Sequence, residues 1–160
     1  MIELAIGIGD LCGSSSPQDR LVTRALGSCV AVILRDPVRQ VCAMAHVVVP
    51  SAPSPGAPAK VGYHAPTAVP ALVDALRRLG GRLDAPVEAV LIGGAAVIDG
   101  LSSFDVGRRN VLAVRRALWA LGLVPVAEDV EGNVSRSVTV EVGSGRISVY
   151  SPTLGTWTVE

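Results

Sequence analysis

The chain has 160 residues, a length typical of one domain, and its 14 basic residues balance 14 acidic ones. Without net charge it has no large electrostatic field that would attract nucleic acid or anionic lipid, so we expect neither as a partner. No stretch approaches the roughly 20 apolar residues of a membrane span, which predicts no membrane insertion. Residues 1–9 lack the basic segment of a signal peptide.

Cysteine usage bears on compartment and on metal binding. Cys12, Cys29 and Cys42 form an odd set without CxxC spacing. This pattern argues against a disulfide framework and against a zinc site, so we expect no metal and no cofactor. A reducing, cytoplasmic compartment is the simplest interpretation.

The first half of the chain predicts mainly strands. Residues 2–8 and 20–26 have the composition of strands, with a polar loop over 9–19 between them. Two apolar, β-branched runs over 29–34 and 41–49 flank a turn-like insert, which predicts a hairpin. Residues 50–62, rich in Pro, Ser and Ala, predict a loop.

The second half predicts helices alternating with strands. Apolar residues recur at helical spacing over 69–79 and over 111–121, and each run ends at glycine. Strands are predicted over 87–92 and 124–130, followed by a hairpin of 137–142 and 146–150. Together the elements predict a single α+β domain over residues 1–160, an α/β sandwich of largely antiparallel sheets layered with two principal helices.

The first hairpin is predicted to bring a cysteine and a histidine together. A four-residue loop over 36–39 places Leu34 opposite Val41 and Cys29 opposite His46. Directly opposed residues on antiparallel strands have Cβ atoms about 4.5–5.5 Å apart. The thiol and the imidazole would then lie within or close to hydrogen-bonding reach, although a one-residue slip would separate them.

Such a pair suits nucleophilic catalysis. The thiolate is the nucleophile, and a nearby imidazole can take the thiol proton to leave a thiolate–imidazolium pair. The imidazolium can later protonate a leaving amine. Gly27 and Ser28 predict a bend where backbone amides converge on an oxyanion. The hydroxyls of Ser28 and Thr23 can orient the imidazole or the substrate.

Each of these residues also has an ordinary structural interpretation. A cysteine at the edge of an apolar run is usually a small buried hydrophobe, and a histidine in an apolar strand is usually a core residue. We interpret Cys42 as core and Cys12 as incidental. His64, the other histidine, fits a solvated surface or a pocket rim. The shared register of Cys29 and His46 is what favours catalysis.

The sequence also resembles a known family. Residues 23–32 (TRALGSCVAV), Asp36, residues 43–47 (AMAHV) and Pro50 resemble the signature of the chemoreceptor glutamine deamidase CheD family. In that signature a threonine stands six residues before the cysteine of GSC, and the histidine of an AH dipeptide stands 17 residues after it, as here. The resemblance continues through Tyr63, the GGA of 93–95, the GRRN of 107–110 and Arg136, and covers nearly the whole chain.

The resemblance implies a reaction and a set of roles. Cys29 would attack the side-chain carboxamide of a receptor glutamine, ammonia would leave, and water would hydrolyse the thioester to give glutamate. His46 would be the base and then the acid, Thr23 would orient the site, and Gly27 and Ser28 would shape it. Further candidates, for the substrate pocket, are Tyr63, Gly93, Gly94, Asn110 and Arg136.

The resemblance also implies a fold and partners. The family fold is an α/β sandwich related to bacterial toxin deamidases. The substrates would be cytoplasmic helices of methyl-accepting chemoreceptors, and in many systems the phosphatase CheC is a regulatory partner.

Two departures from the family pattern leave other functions open. Tyr63 is followed by His64-Ala65 where the family usually has a small residue and an acid. Residues 131–136 (EGNVSR) lack two glycines of the family pattern. These changes bear on substrate contacts and loop shape more than on chemistry. The alternatives are a non-catalytic module that docks on receptors or on a CheC-like protein, and a cysteine amidase or peptidase with another substrate.

Overall fold

The computed structural model describes residues 1–57, 60–84, 86–96 and 101–160, with only the backbone of 101–105. The helices are α1 (Ala65–Arg78) and α2 (Leu101–Ala120). The strands are β1 (Glu3–Ala5), β2 (Leu11–Ser14), β3 (Arg20–Leu26), β4 (Val30–Asp36), β5 (Val41–Val47), β6 (Glu88–Gly93), β7 (Pro125–Val130), β8 (Arg136–Glu141), β9 (Ile147–Ser151) and β10 (Gly155–Val159).

The strands form two five-stranded sheets that pack face to face. Sheet A has the order β1-β3-β8-β9-β10, and sheet B has the order β2-β5-β4-β6-β7. The β1–β3 and β6–β7 pairs are parallel, and the other pairs are antiparallel. This architecture confirms the predicted α+β class.

Sheet B is the middle layer of three. Val32 and Leu34 of β4 belong to the apolar cluster that includes Leu72 of α1, whereas Ile33 belongs to the cluster that includes Leu21 of sheet A. Because successive side chains of a strand point to opposite faces, β4 is buried on both sides. This explains why its sequence is a continuous apolar run rather than an alternating one.

Two short strands were not predicted. β2 lies inside the predicted loop over 9–19 and pairs with β5, and β10 follows the last hairpin. The sequence of β2 is weakly strand-like because it contains Gly13. Glycine is required there, since a Cβ would come 2.7 Å from the carbonyl oxygen of Cys42. The predicted strand over 2–8 is also shorter, because the amide of Asp10 donates to the carbonyl of Gly7 and turns the chain.

The register of the β4–β5 hairpin differs from the prediction by two residues. Asp36 pairs with Val41, and Ala31 pairs with His46. The loop therefore comprises residues 37–40 rather than 36–39, and Cys29 does not lie directly opposite His46. A shift of two residues keeps every side chain on its face of the sheet.

The side chain of Asp36 sets this register. Its carboxylate accepts hydrogen bonds from the amides of Val38 (3.1 Å), Arg39 (3.0 Å) and Arg82 (3.1 Å). Burial alone would raise the pKa of Asp36, but the amide hydrogen bonds from Arg39 and Arg82, together with the Arg39 guanidinium, outweigh it, so the pKa is lowered. The same carboxylate therefore closes the hairpin and ties it to the segment after α1.

We expect Asp36→Asn to destabilise the fold by about 1–3 kcal/mol at neutral pH, because an amide presents donors where the Asp36 carboxylate accepts them. Since the pKa is depressed in the folded state, the contribution of the carboxylate is present above its unfolded pKa. It is lost as the pH falls through the folded pKa. Urea unfolding of both proteins at pH 7 and pH 3 measures this, with the exposed Asp74→Asn as control. An equal deficit at both pH values would contradict it.

Candidate active site

Cys29 lies at one end of the layer between the two sheets. It immediately precedes β4, is partly buried, and packs against the cluster shared by sheets A and B. His46 lies on the same face of sheet B, one step diagonally from Cys29 in the observed register. The backbones of diagonal neighbours on adjacent strands are about 7–8 Å apart, a distance that long side chains can bridge. Cys29 and His46 therefore lie on the same face of sheet B, in neighbouring cross-strand rows.

Thr23 of sheet A determines which nitrogen of His46 carries the proton. Both side chains are buried, and Thr23 Oγ1 lies 2.7 Å from His46 Nδ1. The Thr23 hydroxyl also donates to the carbonyl of Ile6, at 2.7 Å. Because a hydroxyl has one proton, its oxygen must accept from Nδ1–H of the imidazole. The hydrogen-bond network therefore assigns the Nδ1–H tautomer to neutral His46.

The other nitrogen of His46 is then an unprotonated acceptor. Nε2 is buried and has no hydrogen-bond partner among the described residues. A buried acceptor without a partner costs free energy and is uncommon in folded proteins. Such a nitrogen is available to take a proton, which is what a general base requires.

The segment that carries Cys29 is anchored by its carbonyls. The carbonyl of Gly27 accepts from the amide of Ala95 (2.9 Å), and that of Cys29 accepts from the amide of Gly94 (2.8 Å). The carbonyl of Ser28 accepts from Asn110 Nδ2 at 2.9 Å. The C=O and N–H of a trans peptide point in opposite directions, so anchoring these carbonyls directs the following amides away from β6 and α2.

Gly93 and Gly94 lie behind this segment. A Cβ on Gly93 would come 2.3 Å from the carbonyl oxygen of Cys29, and both glycines have positive φ. A Cβ on Gly107 would come 2.4 Å from the carbonyl oxygen of Gly94. The two glycine motifs of the sequence are therefore two sides of one close contact. Gly93, Gly94 and Asn110 therefore support the backbone of the Cys29 segment.

The protonation of the pair at rest follows from burial. Burial raises the pKa of the Cys29 thiol, and the residue's own backbone amide lowers it only in part. Burial lowers the pKa of His46, and the negative charge of Asp10 partly opposes this. Both shifts favour the neutral thiol and the neutral imidazole over the thiolate–imidazolium pair that the sequence analysis expects.

The turn before β2 is a part of the site that sequence analysis did not identify. The amide of Gly9 donates to the carbonyl of His46, and the amide of His46 donates to the carbonyl of Asp10, each at 3.0 Å. The Asp10 carboxylate pairs with Lys60 at 3.2 Å. Recognising the short strand β2 would have placed this turn next to His46.

Tyr63 is bonded to the segment that follows His46, and Arg136 pairs with the strand that precedes Cys29. The carbonyl of Tyr63 accepts from the amides of Val48 and Val49, just beyond His46. Arg136 pairs with Leu26, just before the Cys29 segment, and donates from Nη2 to Asp129. It is 5% exposed, and its Nε and Nη1 have no partner among the described residues.

A separate cavity of about 520 Å³ opens at the far end of the sheets, where its lining includes Arg35, Glu88 and Arg146. The Arg35 guanidinium is already paired with Glu88 and with the carbonyl of Gly145. Within the described residues no group of three or more His, Cys, Asp and Glu side chains could hold a metal ion. No helix in the described part of the chain is long and apolar enough to cross a membrane.

Comparison with known proteins identifies the family. The family described as CheD chemotactic sensory transduction matches residues 49–151. A protein of Syntrophotalea carbinolica named "Probable chemoreceptor glutamine deamidase CheD" is 40% identical over 99% of this chain and 100% of its own length. The "Chemoreceptor glutamine deamidase CheD" of Thermotoga maritima is 42% identical over 90% of this chain and 88% of its own. The chain therefore belongs to the CheD family.

Proposed function

We propose that this chain is a chemotaxis enzyme that deamidates glutamine side chains of chemoreceptors, with Cys29 as nucleophile and His46 as base. The observation that carries the chemistry is the hydrogen bond between Thr23 and His46, which leaves Nε2 unprotonated on the face that Cys29 shares. The names of the relatives supply the substrate, a chemoreceptor glutamine.

The first half of the proposed reaction acylates the enzyme. His46 Nε2 takes the thiol proton as Cys29 Sγ bonds to the carboxamide carbon of the glutamine. The amides of Ser28 and Cys29, directed by the anchored carbonyls of Gly27 and Ser28, stabilise the resulting oxyanion. Nε2–H then gives its proton to the leaving nitrogen, the C–N bond breaks, and ammonia departs, which leaves a thioester.

The second half hydrolyses the thioester. A water molecule gives a proton to Nε2 and its oxygen bonds to the acyl carbon. The C–S bond breaks, the proton returns to Cys29, and glutamate is released. Throughout, Thr23 Oγ1 accepts from Nδ1–H, so the imidazole keeps its orientation in both its neutral and charged forms.

The resting site is neutral in this proposal. Because burial opposes charge on both Cys29 and His46, the thiolate forms as the proton moves and not before. The bound carboxamide and the oxyanion donors then stabilise charge that the empty site does not carry. Such a thiol is selective for a substrate that engages those donors.

The remaining roles are assigned by position. Tyr63 borders the His46 side of the site, and Arg136 borders the Cys29 side, so we propose both for the substrate pocket. We propose Gly27 and Ser28 as the bend that presents the oxyanion donors. A CheC-like regulator and a cytoplasmic location complete the proposal, and the three unpaired cysteines suit a reducing compartment.

The rival proposal is a docking module without catalysis, suggested by the altered loop over 131–136. That loop is tied to the supports of Cys29, since the amide of Glu131 donates to the carbonyl of Gly93 and the carbonyl of Gly132 accepts from the amide of Ala96. Glu131 adopts the left-handed conformation, with φ 66°, in place of a glycine. The loop thus favours the catalytic proposal over the rival.

Incubation with a chemoreceptor cytoplasmic fragment should increase the fragment's intact mass by about 1 Da per modified glutamine, because hydrolysis exchanges an amide for an acid. Cys29→Ala should give no increase, since the nucleophile is absent. Mass spectrometry of the fragment checks this, with Cys12→Ala as the matched control. An equal gain with Cys29→Ala would exclude this nucleophile. Binding to several receptors without any gain would favour the docking module.

Replacing His46 with Ala should lower kcat by about 10²–10⁴-fold, the usual contribution of a general base. Thr23→Val should also lower kcat, because it removes the acceptor that fixes the Nδ1–H tautomer, whereas Thr23→Ser keeps that acceptor. Ammonia release measures the three rates. Activity of Thr23→Val equal to that of Thr23→Ser would show that the hydroxyl does not set the tautomer.

Asp10→Asn should move the acidic limb of the kcat/KM profile to lower pH. The negative charge of Asp10 raises the pKa of His46, so its removal lowers that pKa and keeps the base unprotonated in more acid solution. The pH profile of deamidation measures the shift, which should shrink at high salt because Asp10 is half exposed. Asp84→Asn is the control, and a shift to higher pH in Asp10→Asn would contradict the electrostatic effect.

A further inference from the structure

One buried amide connects the two segments that carry the proposed nucleophile and base. Asn110 of α2 is fully buried. Its Nδ2 donates to the carbonyl of Ser28 and to the carbonyl of Val48, each at 2.9 Å. Both protons of the amide are thereby used, one on the residue before Cys29 and one on the second residue after His46.

The backbone ladder does not itself fix this region. The last residue pair of β4 with β5 is Val30 with Val47, so Ser28 and Val48 both lie beyond the ladder. Past that pair, the separation of the two segments depends on what bridges them. Among the described contacts, Asn110 is bonded to both.

A close approach of α2 makes the bridge possible. Gly107 stands one turn before Asn110, and a Cβ there would come 2.4 Å from the carbonyl oxygen of Gly94. A Cβ on Gly94 would come 2.5 Å from Val111 Cγ2 and 2.9 Å from the carbonyl oxygen of Gly107. The two glycines let the helix backbone reach the β6 turn, so the short side chain of Asn110 can span both carbonyls.

The amide is placed for its donors and not for its volume. Asn110 Oδ1 is buried and has no partner among the described residues. An unpaired buried acceptor is unfavourable, and an apolar side chain of similar size would avoid it. An apolar side chain, however, could not donate hydrogen bonds to the carbonyls of Ser28 and Val48.

We propose that Asn110 is a positioning residue that sets the separation of Cys29 from His46 and the direction of the Cys29 amide. Asn110 contacts neither the substrate nor a reacting atom in this proposal, which rests on the proposed function of the Cys29–His46 pair. It replaces the sequence-based expectation that Asn110 lines the substrate pocket.

The direct test uses the variant Asn110→Asp. Peptide mass spectrometry measures the rate at which iodoacetamide alkylates Cys29 over a range of pH. Asp keeps the shape of Asn but has at most one donor. Alkylation of the neutral Cys29 thiol is assisted when His46 Nε2 takes the proton as Sγ attacks iodoacetamide, so the variant should react about tenfold more slowly at neutral pH, towards the rate of His46→Gln. It should also lose up to about 10²-fold in kcat, the loss that a displacement of 1 Å can cause. Its KM should change little, because the residue does not contact substrate.

Two references separate positioning from a general loss of structure. Cys12 lies in β2 of the same protein, and its alkylation rate should not change. Ile147→Val removes one buried methylene at the far end of the sheets and should lower stability while leaving Cys29 alkylation and kcat unchanged. If Asn110→Asp does not fold, Asn110→Ser is measured, and it should fall between wild type and His46→Gln because it keeps one donor.

If the Asn110 variants keep the wild-type alkylation rate and kcat while His46→Gln is impaired, the role of Asn110 is overturned and the proposed function stands. Faster alkylation of both Cys29 and Cys12 would also overturn it, since that indicates general loosening. If His46→Gln itself alkylates like wild type, the Cys29–His46 pair fails, and the proposed function and the role of Asn110 fail with it.

Discussion

The single proton of the Thr23 hydroxyl is the constraint on which the site depends. Since the Thr23 hydroxyl donates its proton in a hydrogen bond to the carbonyl of Ile6, the imidazole of His46 must donate to Thr23 from Nδ1. Nε2 then carries no proton. The donor and the acceptor belong to different sheets. The tautomer of His46 is therefore set by how the two sheets lie against each other, and not by either hairpin alone.

The core between the sheets is suited to holding that relation. Its buried members, among them Ala31, Ile33 and Leu21, are aliphatic or sulfur-containing. Closely packed interiors resist small displacements, so Thr23 and His46 stay within hydrogen-bonding distance. Only 3% of the residues are aromatic, so small aliphatic side chains fill most of this layer.

Local pattern predicted most of the elements but not the register. Apolar patterns identify both helices and the β4–β5 hairpin, because each helix has one hydrophobic face and each strand of the hairpin is a continuous apolar run. The hairpin register depends on the Asp36 carboxylate capping the amides of Val38 and Arg39 and on Gln40 in the left-handed region, with φ 55°. None of these is visible as hydrophobic pattern. The prediction kept Cys29 and His46 on one face because its error was two residues, an even number.

The proposed catalytic residues could be named from sequence, but the groups that hold them could not. Asn110 and Ser28 are 82 residues apart, and no periodicity relates them. The motifs GGA and GRRN were visible as family patterns, yet their meaning is one backbone contact between Gly94 and Gly107 that only the packed structure shows. In the proposed mechanism the Cys29 thiol is neutral at rest, so its reactivity depends on the geometry that these supports maintain and not on a standing charge.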